Sequence, residues 1–565
     1  MRTKEPHRKS YWAALLVVLL AGLAVAALPA GVVASEAGEL PPDLVMPETP
    51  EAAASAREAA TAARRLDLER YLPRSAADQF PRPDEQGRLE LSVEEAVVMA
   101  LANNRSLGIQ LYRPLISGTF AEQERAVFDP TLFAEASAGR EKIPFGDDYR
   151  RTETENYRLG VEQELATGTA LELALEQRRS DAENTPDGLH HRAGASLSLT
   201  QALLRGGSRE ANLVGVRQAD LEVLVSLYEL RGFTQSLVAE VERAYWELVL
   251  AESRIAIYRQ SLAVAQSQLQ DVLRRIEVGT VAAVERAAAE AELAFRRQSL
   301  IDGESSRDQA RLELLNLVNP APAGSTAGMA QQRRYAEMAE IWTLQPVPRE
   351  TPYVPQTAPD PVLEHVALSR QMRPDLGEAR LRLEQGELEV VQTRNGLLPR
   401  LDLFITLGKT GYADSFGRSF RELIDDSTYA GSAGLRFSLP LRGNRAAAAV
   451  DARARASRNQ AEASLGNLSQ LVELDVRKAH LEAHRTRTQI DASAERRRLQ
   501  EEVLRVEEVK FEVGRSTALN VARAQRDLLE SQLAEVDAKV AYRLALTELY
   551  RLDGSLLARR QITTR

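Results

Sequence analysis

One phrase occurs twice in this chain. Residues 274–293 read RRIEVGTVAAVERAAAEAEL, and 509–528, 235 positions later, read VKFEVGRSTALNVARAQRDL. Each sits in a long run without a helix breaker: of 24 prolines, none falls within 187–319 or 441–565, stretches rich in Ala, Leu, Glu, Arg and Gln. In the first run, apolar or small residues step by four and three from Leu237, Val241, Ala244, Leu248, Ala251 and Ile255 as far as Ile276. That is the 3.5-residue period of a coiled-coil seam. The same offset lands on Val472, Val476, Ala479, Ala483, Thr486 and Ile490, after which Ser493 and Arg497 make the second seam more polar.

The repetition extends upstream. LRGG at 204–207 opens the first long helix and LRGN at 441–444 the second, while Ala100-Leu101 and Pro130 have counterparts in Ala367-Leu368 and Pro399. Periods of about 20 to 50 residues mark solenoids; this much longer one marks two copies of a structural half. Each half predicts a helix of about 37 residues (92–128; 361–397), a β region, a helix of about 70 (208–278; 445–513), and a helix of about 37 (281–318; 517–552). At about 1.5 Å per residue the long helix reaches roughly 105 Å, and the two shorter ones can stack end to end beside it. Gly279 and Gly514 then fall where a helix ends and reverses, since glycine enters the left-handed conformation without penalty. A tolerated glycine inside one continuous helix is the competing reading, and the recurrence of its neighbours argues against it.

The first 34 residues read as a secretory signal peptide: Arg2, Lys4, Arg8 and Lys9, then an apolar run over 13–28, then small residues before Ser35. An uncleaved anchor is the alternative, and no later stretch has the apolar length of a membrane helix. With no cysteine, the chain lacks disulfides, thiolate metal sites and a lipoprotein acylation residue. Subtracting the leader's +3 from −9 leaves −12, which argues against non-specific nucleic-acid binding.

The β segments alternate with period two. Leu401, Leu403, Ile405 and Leu407 share one face, opposite Asp402, Phe404 and Thr406; on the returning segment Tyr429, Ala433, Leu435, Phe437 and Leu439 alternate with Ser432, Gly434, Arg436 and Ser438. The first half predicts four such strands, at 131–140, 156–165, 169–178 and 194–203, the middle pair joined by the tight turn at 166–168. A soluble sandwich also alternates, but the flanking helices offer no soluble core and the 408–428 connection reads as a long polar loop, both of which suit a transmembrane β-barrel. Six strands are fewer than the eight of the smallest membrane barrels. An open edge in lipid costs several kcal/mol per unpaired backbone group, so several chains must share one barrel.

With EVERAYWELVLAE at 240–252, LSLTQALLRGG at 197–207, both Glu-Val-Gly turns and Arg373-Pro374-Asp375, the chain resembles the TolC-like outer membrane efflux protein family from residue 91 to about 557. The resemblance implies an α+β membrane protein, internally duplicated, with a long antiparallel α-helical coiled-coil tunnel in the periplasm and transmembrane β-barrel strands shared across a homotrimer in the outer membrane of a Gram-negative bacterium. It implies a passive exit duct for efflux or secretion, serving an inner-membrane pump through a periplasmic adaptor (membrane fusion) protein. The adaptor-contact tips become Val278, Gly279, Thr280, Val513, Gly514 and Arg515. The lipid-facing set becomes Leu401, Leu403, Ile405, Leu407, Leu435, Phe437 and Leu439. The closed entrance in the family is ringed by aspartates six and nine residues after the second tip glycine. Here Asn520 and Arg523 stand there, with Glu285 six residues after the first, so a cation preference does not carry over. A ring of Arg523 attracts anions, while a solvated arginine on an outer helix face is the plain alternative. The 156–178 hairpin is additional to the usual two strands per half, and either widens the barrel or lies elsewhere.

The expected divisions are a signal peptide (1–34), a periplasmic extension (35–90), a first repeat (91–319), a Pro-rich linker at the tunnel's waist (320–360), a second repeat (361–557) and a tail (558–565). No nucleophile, base or cofactor constellation is evident, so neither an enzyme nor a bound cofactor is expected. His480 and His484 have the spacing of a zinc pair but lack a third ligand. A rival reading is a periplasmic coiled-coil adaptor or scaffold without a barrel; it calls for one helical hairpin flanked by small β domains, whereas this sequence has two equivalent halves.

Overall fold

The structure, a computed structural model, describes residues 81–562 apart from 82, 85, 146–147, 183–188, 281, 321–340, 355–357 and 426. The expected leader, most of the expected 35–90 extension and half of the expected 320–360 linker lie outside the described residues.

The elements repeat by halves. The first runs β1 (Arg88–Leu91), α1 (Val93–Asn103), α2 (Arg105–Gln110), α3 (Tyr112–Ala126), strands β2 (Thr131–Phe145), β3 (Asp148–Leu165), β4 (Thr169–Ala182) and β5 (Leu189–Ala202), then α4 (Arg209–Asn212), α5 (Val214–Glu277) and α6 (Glu285–Val318). After β6 (Gln345–Pro348) the second runs α7 (Val362–Met372), α8 (Pro374–Gly396), β7 (Arg400–Ala413), α9 (Phe416–Asp425), β8 (Ala430–Ser438), α10 (Arg445–Glu512), α11 (Ala518–Leu552) and α12 (Leu556–Arg559). Among the described residues no helix is long and apolar enough to cross a membrane.

The predicted 37-residue entry helices are each broken. In the first half Asn104 ends α1 with its N–H on the Ala100 carbonyl, and its side chain accepts from Leu107 N to start α2. In the second, Pro374 forces the break between α7 and α8, since the residue before a proline is pushed to extended geometry and Arg373 has ψ 122°.

The chain divides into two compact units. One contains Ser117–Val223 and Arg382–Glu462, and holds a six-stranded sheet of order β2-β3-β4-β5-β7-β8 with every neighbouring pair antiparallel. Five of these strands outrun the predicted ten residues, β3 reaching 18, while β8 has nine. The 408–428 segment is not the long polar loop expected. Its first part continues β7, and Phe416–Asp425 forms α9, whose Ser419 and Leu423 are buried and whose Arg418, Arg421 and Glu422 are exposed. Helix α9 lies on the sheet: Gln177 Nε2 of β4 meets Ser419 Oγ at 3.3 Å, Lys409 Nζ donates to the Ile424 carbonyl at 2.9 Å, and a Cβ at Gly411 would stand 2.3 Å from the Ser419 carbonyl oxygen.

The other unit comprises the described residues up to Ile116, Leu224–Leu381 and Ala463–Arg565. Its seams bury as the 3.5-residue period predicts: Leu237, Val241, Ala244, Leu248, Ala251 and Ile255 on α5, and Val472, Val476, Ala479, Ala483, Thr486 and Ile490 on α10. One core gathers Trp246, Tyr245 and Leu314 with Leu89 and Leu91 of β1; the other gathers Val476, Ala483, Tyr542 and Leu549. Strand β1 pairs in parallel with β6, tying the start of the common core to the segment between the halves.

Candidate functional site

The two Glu-Val-Gly phrases form the same turn, atom for atom. After α5, Gly279 N donates to the Ile276 carbonyl at 3.0 Å and Thr280 N to the Arg275 carbonyl at 2.9 Å; after α10, Gly514 N donates to Phe511 O at 3.1 Å and Arg515 N to Lys510 O at 2.7 Å. This pair of bonds is the Schellman cap, which satisfies the last carbonyls of a helix and requires a left-handed residue at its centre. Gly279 has φ +74° and Gly514 φ +70°. Both tips belong to the same unit, and one turn before them Arg275 stands 5.0 Å over the Phe511 ring, coupling α5 to α10. Val278 and Val513 are 73% and 65% exposed. Tip geometry is fixed further by Thr280 Oγ1 on the Arg275 carbonyl and by Ser516 Oγ on Glu507 Oε2, at 3.0 and 2.8 Å. Hydrogen bonds from Lys510 and Ser516 hold the Glu507 carboxyl below its usual range.

The candidate gate residues follow the tips. Glu285 is half-buried at the first position of α6; Asn520 and Arg523 are exposed on α11, the former donating to Ser516 Oγ at 3.4 Å. Deeper along the same helices is a cluster that the sequence did not disclose. Glu292 and Arg296 of α6 are almost fully buried, Arg296 Nη2 lies 2.6 Å from Glu292 Oε1, and Arg526 of α11 donates to Glu292 Oε2 at 2.9 Å. Burial lowers the pKa of Arg296 against the opposing pull of Glu292. Glu292 and Arg296 stand four apart on one helix, a spacing that signals a pair; only the fold brings Arg526 to it. His480 Nε2 faces the Asp360 carbonyl at 3.1 Å, and a buried His365–Asp553 contact of 2.6 Å, also unforeseen, joins α7 to the end of α11.

The sheet's two faces differ in kind. The register places Leu132, Val161, Leu173, Leu197, Leu407 and Gly431 in one row across all six strands. The adjacent row, pointing the other way, is Thr131, Glu162, Glu172, Ser198, Thr406 and Ser432. On the apolar face Leu407, Leu435 and Phe437 are exposed, and Leu401, Leu403 and Ile405 are half-buried; Leu439 lies just past β8 and is exposed. Among the described residues the end strands β2 and β8 each pair on one side. A membrane barrel wall has this cross-section: an apolar outer face, a polar inner face, and edges that must find partners.

A duplicated helical hairpin with matched caps, joined to strands of this patterning, defines an outer-membrane channel subunit. The sequence comparison agrees: the outer membrane efflux protein model matches residues 96–319 and 366–555, and the chain belongs to that family. A curated relative, the alkaline protease secretion protein AprF of Pseudomonas aeruginosa, is 25% identical over 249 residues, 44% of this chain and 46% of AprF, so the chain spans about half of that relative's length. Among solved structures, the outer-membrane channel OprN has a TM-score of 0.61 at 20% identity, covering 82% of this chain and 89% of OprN. The CmeC outer membrane channel of Campylobacter jejuni has a TM-score of 0.59 at 15% identity, covering 82% and 86%. The fold is therefore that of the solved outer-membrane channels, and a lone adaptor-type hairpin between small β domains is not what this chain forms.

Proposed function

We propose that this protein is the passive outer membrane exit duct of a tripartite efflux or secretion system, working as a homotrimer that carries substrate from an inner-membrane pump and periplasmic adaptor to the exterior. The observation that carries the reading is the sheet: one uninterrupted apolar row, a polar row beside it, and two edges unpaired among the described residues. In lipid each unpaired edge group costs several kcal/mol, so β2 of one copy pairs with β8 of the next until the wall closes. The apolar face, with Leu401, Leu403, Ile405, Leu407, Leu435, Phe437 and Leu439, meets outer membrane lipid. The tips, Val278-Gly279-Thr280 and Val513-Gly514-Arg515, are the adaptor's docking points; two exposed valines on rigid caps give it apolar anchors without an ordering cost. Glu285, Asn520 and Arg523 line the periplasmic entrance just beyond them.

Energy comes from the pump. Cell fractionation tests the reading. The protein is expected in outer membranes, extractable by detergent as a large oligomer; release by osmotic shock as a water-soluble species would instead indicate a periplasmic scaffold.

A further inference from the structure

We infer that the β3–β4 hairpin is part of the lipid-embedded wall, so that each chain contributes six strands and the trimer closes an eighteen-stranded barrel. This rests on the proposed exit-duct reading and extends it to the bore. The hairpin is placed within the sheet, between β2 and β5, rather than appended to an edge. Topology alone did not require that: β2 and β5 run antiparallel, and could have paired directly with β3 and β4 looped away from the sheet.

The side chains follow the same plan. Val161 and Leu173 take their places in the apolar row, with Tyr157, Leu159, Leu171 and Leu175 on the same face; Glu162 and Glu172 take theirs in the polar row. A loop folded over the barrel mouth in water has no reason to match the polarity of the strands on both sides of it in these rows; the departure is Gln163, level with Leu171, Leu199 and Ile405, which donates to the Phe128 carbonyl at 3.0 Å. On the polar face Arg158 pairs with Glu172 and Glu176, which satisfies charge on the side that faces a water-filled lumen. On the apolar face helix α9 spans β4, β5 and β7, its Ser419 held to Gln177 of β4 and its last turn to Lys409 of β7, just where the leucines give way to polar residues. The inserted hairpin therefore shares its apolar band, and the upper limit of that band, with the strands around it.

The consequence is a wide exit. With strands about 4.8 Å apart and tilted about 40°, eighteen strands close at roughly 35 Å from backbone to backbone, against roughly 24 Å for a trimer of four-stranded chains. Barrels of 16 to 18 strands hold an open aqueous channel, so the outer membrane segment is not where passage of cargo is restricted.

The native chain has no cysteine, so single cysteines can be placed without background. Leu173→Cys, Glu172→Cys and Leu435→Cys are each labelled with bimane in the trimer, reconstituted into phosphatidylcholine vesicles with and without acyl-chain nitroxide lipid. The expected result is strong quenching at 173, within twofold of that at 435, and little at 172. Quenching at 435 without quenching at 173 overturns the inference and leaves the duct reading intact. Absence of quenching at 435 as well overturns both.

Discussion

The tip caps admit a quantitative test. Replacing Gly279 or Gly514 by valine places a β-branched residue at a φ of +74° or +70°. Apart from the glycine and its two chain neighbours, no atom lies within 4 Å of a Cβ added at either position. The Cβ thus meets open space, and the main cost is backbone strain, about 1 to 2 kcal/mol for a left-handed L-residue, with valine at the upper end. That is too little to unfold a domain of ordinary stability. It lowers the ratio of capped to uncapped tip by a factor of about 5 to 30, and adaptor affinity falls by up to that factor, in proportion to the capped fraction lost, if only the capped form docks. Asparagine, which tolerates the left-handed region, retains most of the affinity. The assay is adaptor binding to purified wild-type, Gly279→Val, Gly514→Val and Gly514→Asn trimers, with export measured in cells and outer membrane levels as the control for assembly. Unchanged binding and export in both valine variants, at normal membrane levels, would refute the assignment of these turns as docking points.

Two further outcomes follow from the sheet and the entrance. Ile405→Arg on the apolar face should destabilise the membrane-embedded oligomer by about 2 to 4 kcal/mol, whereas Ser198→Arg on the polar face should leave it nearly unchanged; heat-resistant oligomer on gels reads the difference. Arg523→Glu should move the reversal potential of the channel in a salt gradient towards cations if Arg523 lines the entrance, and leave it unmoved if the arginine lies on the outer helix face.

Much of this architecture is legible in the sequence because its signals are local. A 3.5-residue seam that alternates without a slip from Leu237 to Ile276 fixes which face of α5 is buried, and the duplicated copy fixes α10 down to Thr486, which is 1% exposed. A tip glycine flanked twice by the same residues specifies a cap. What escaped reading depends on partners distant in sequence. Strand β1 is four residues long and pairs with β6 more than 250 residues away, so neither segment carries its own periodic signal. Helix α9 has few apolar residues, Phe416, Phe420, Leu423 and Ile424, and reads as polar loop until the sheet beneath it supplies the surface that Ser419 and Leu423 cover. The place of β3–β4 in the sheet was likewise undecided, because alternation shows which face a residue takes and not which strand lies beside it. Arg526 joins Glu292 only through the packing of α11 on α6.

The central claim is that one copy cannot close a lipid-embedded wall and that three together can. Native mass spectrometry of the detergent-extracted protein, with the same sample applied to a planar bilayer, tests it directly. Three copies per particle that conduct ions as a discrete pore are predicted; a folded single copy, stable in water and silent in the bilayer, would contradict it.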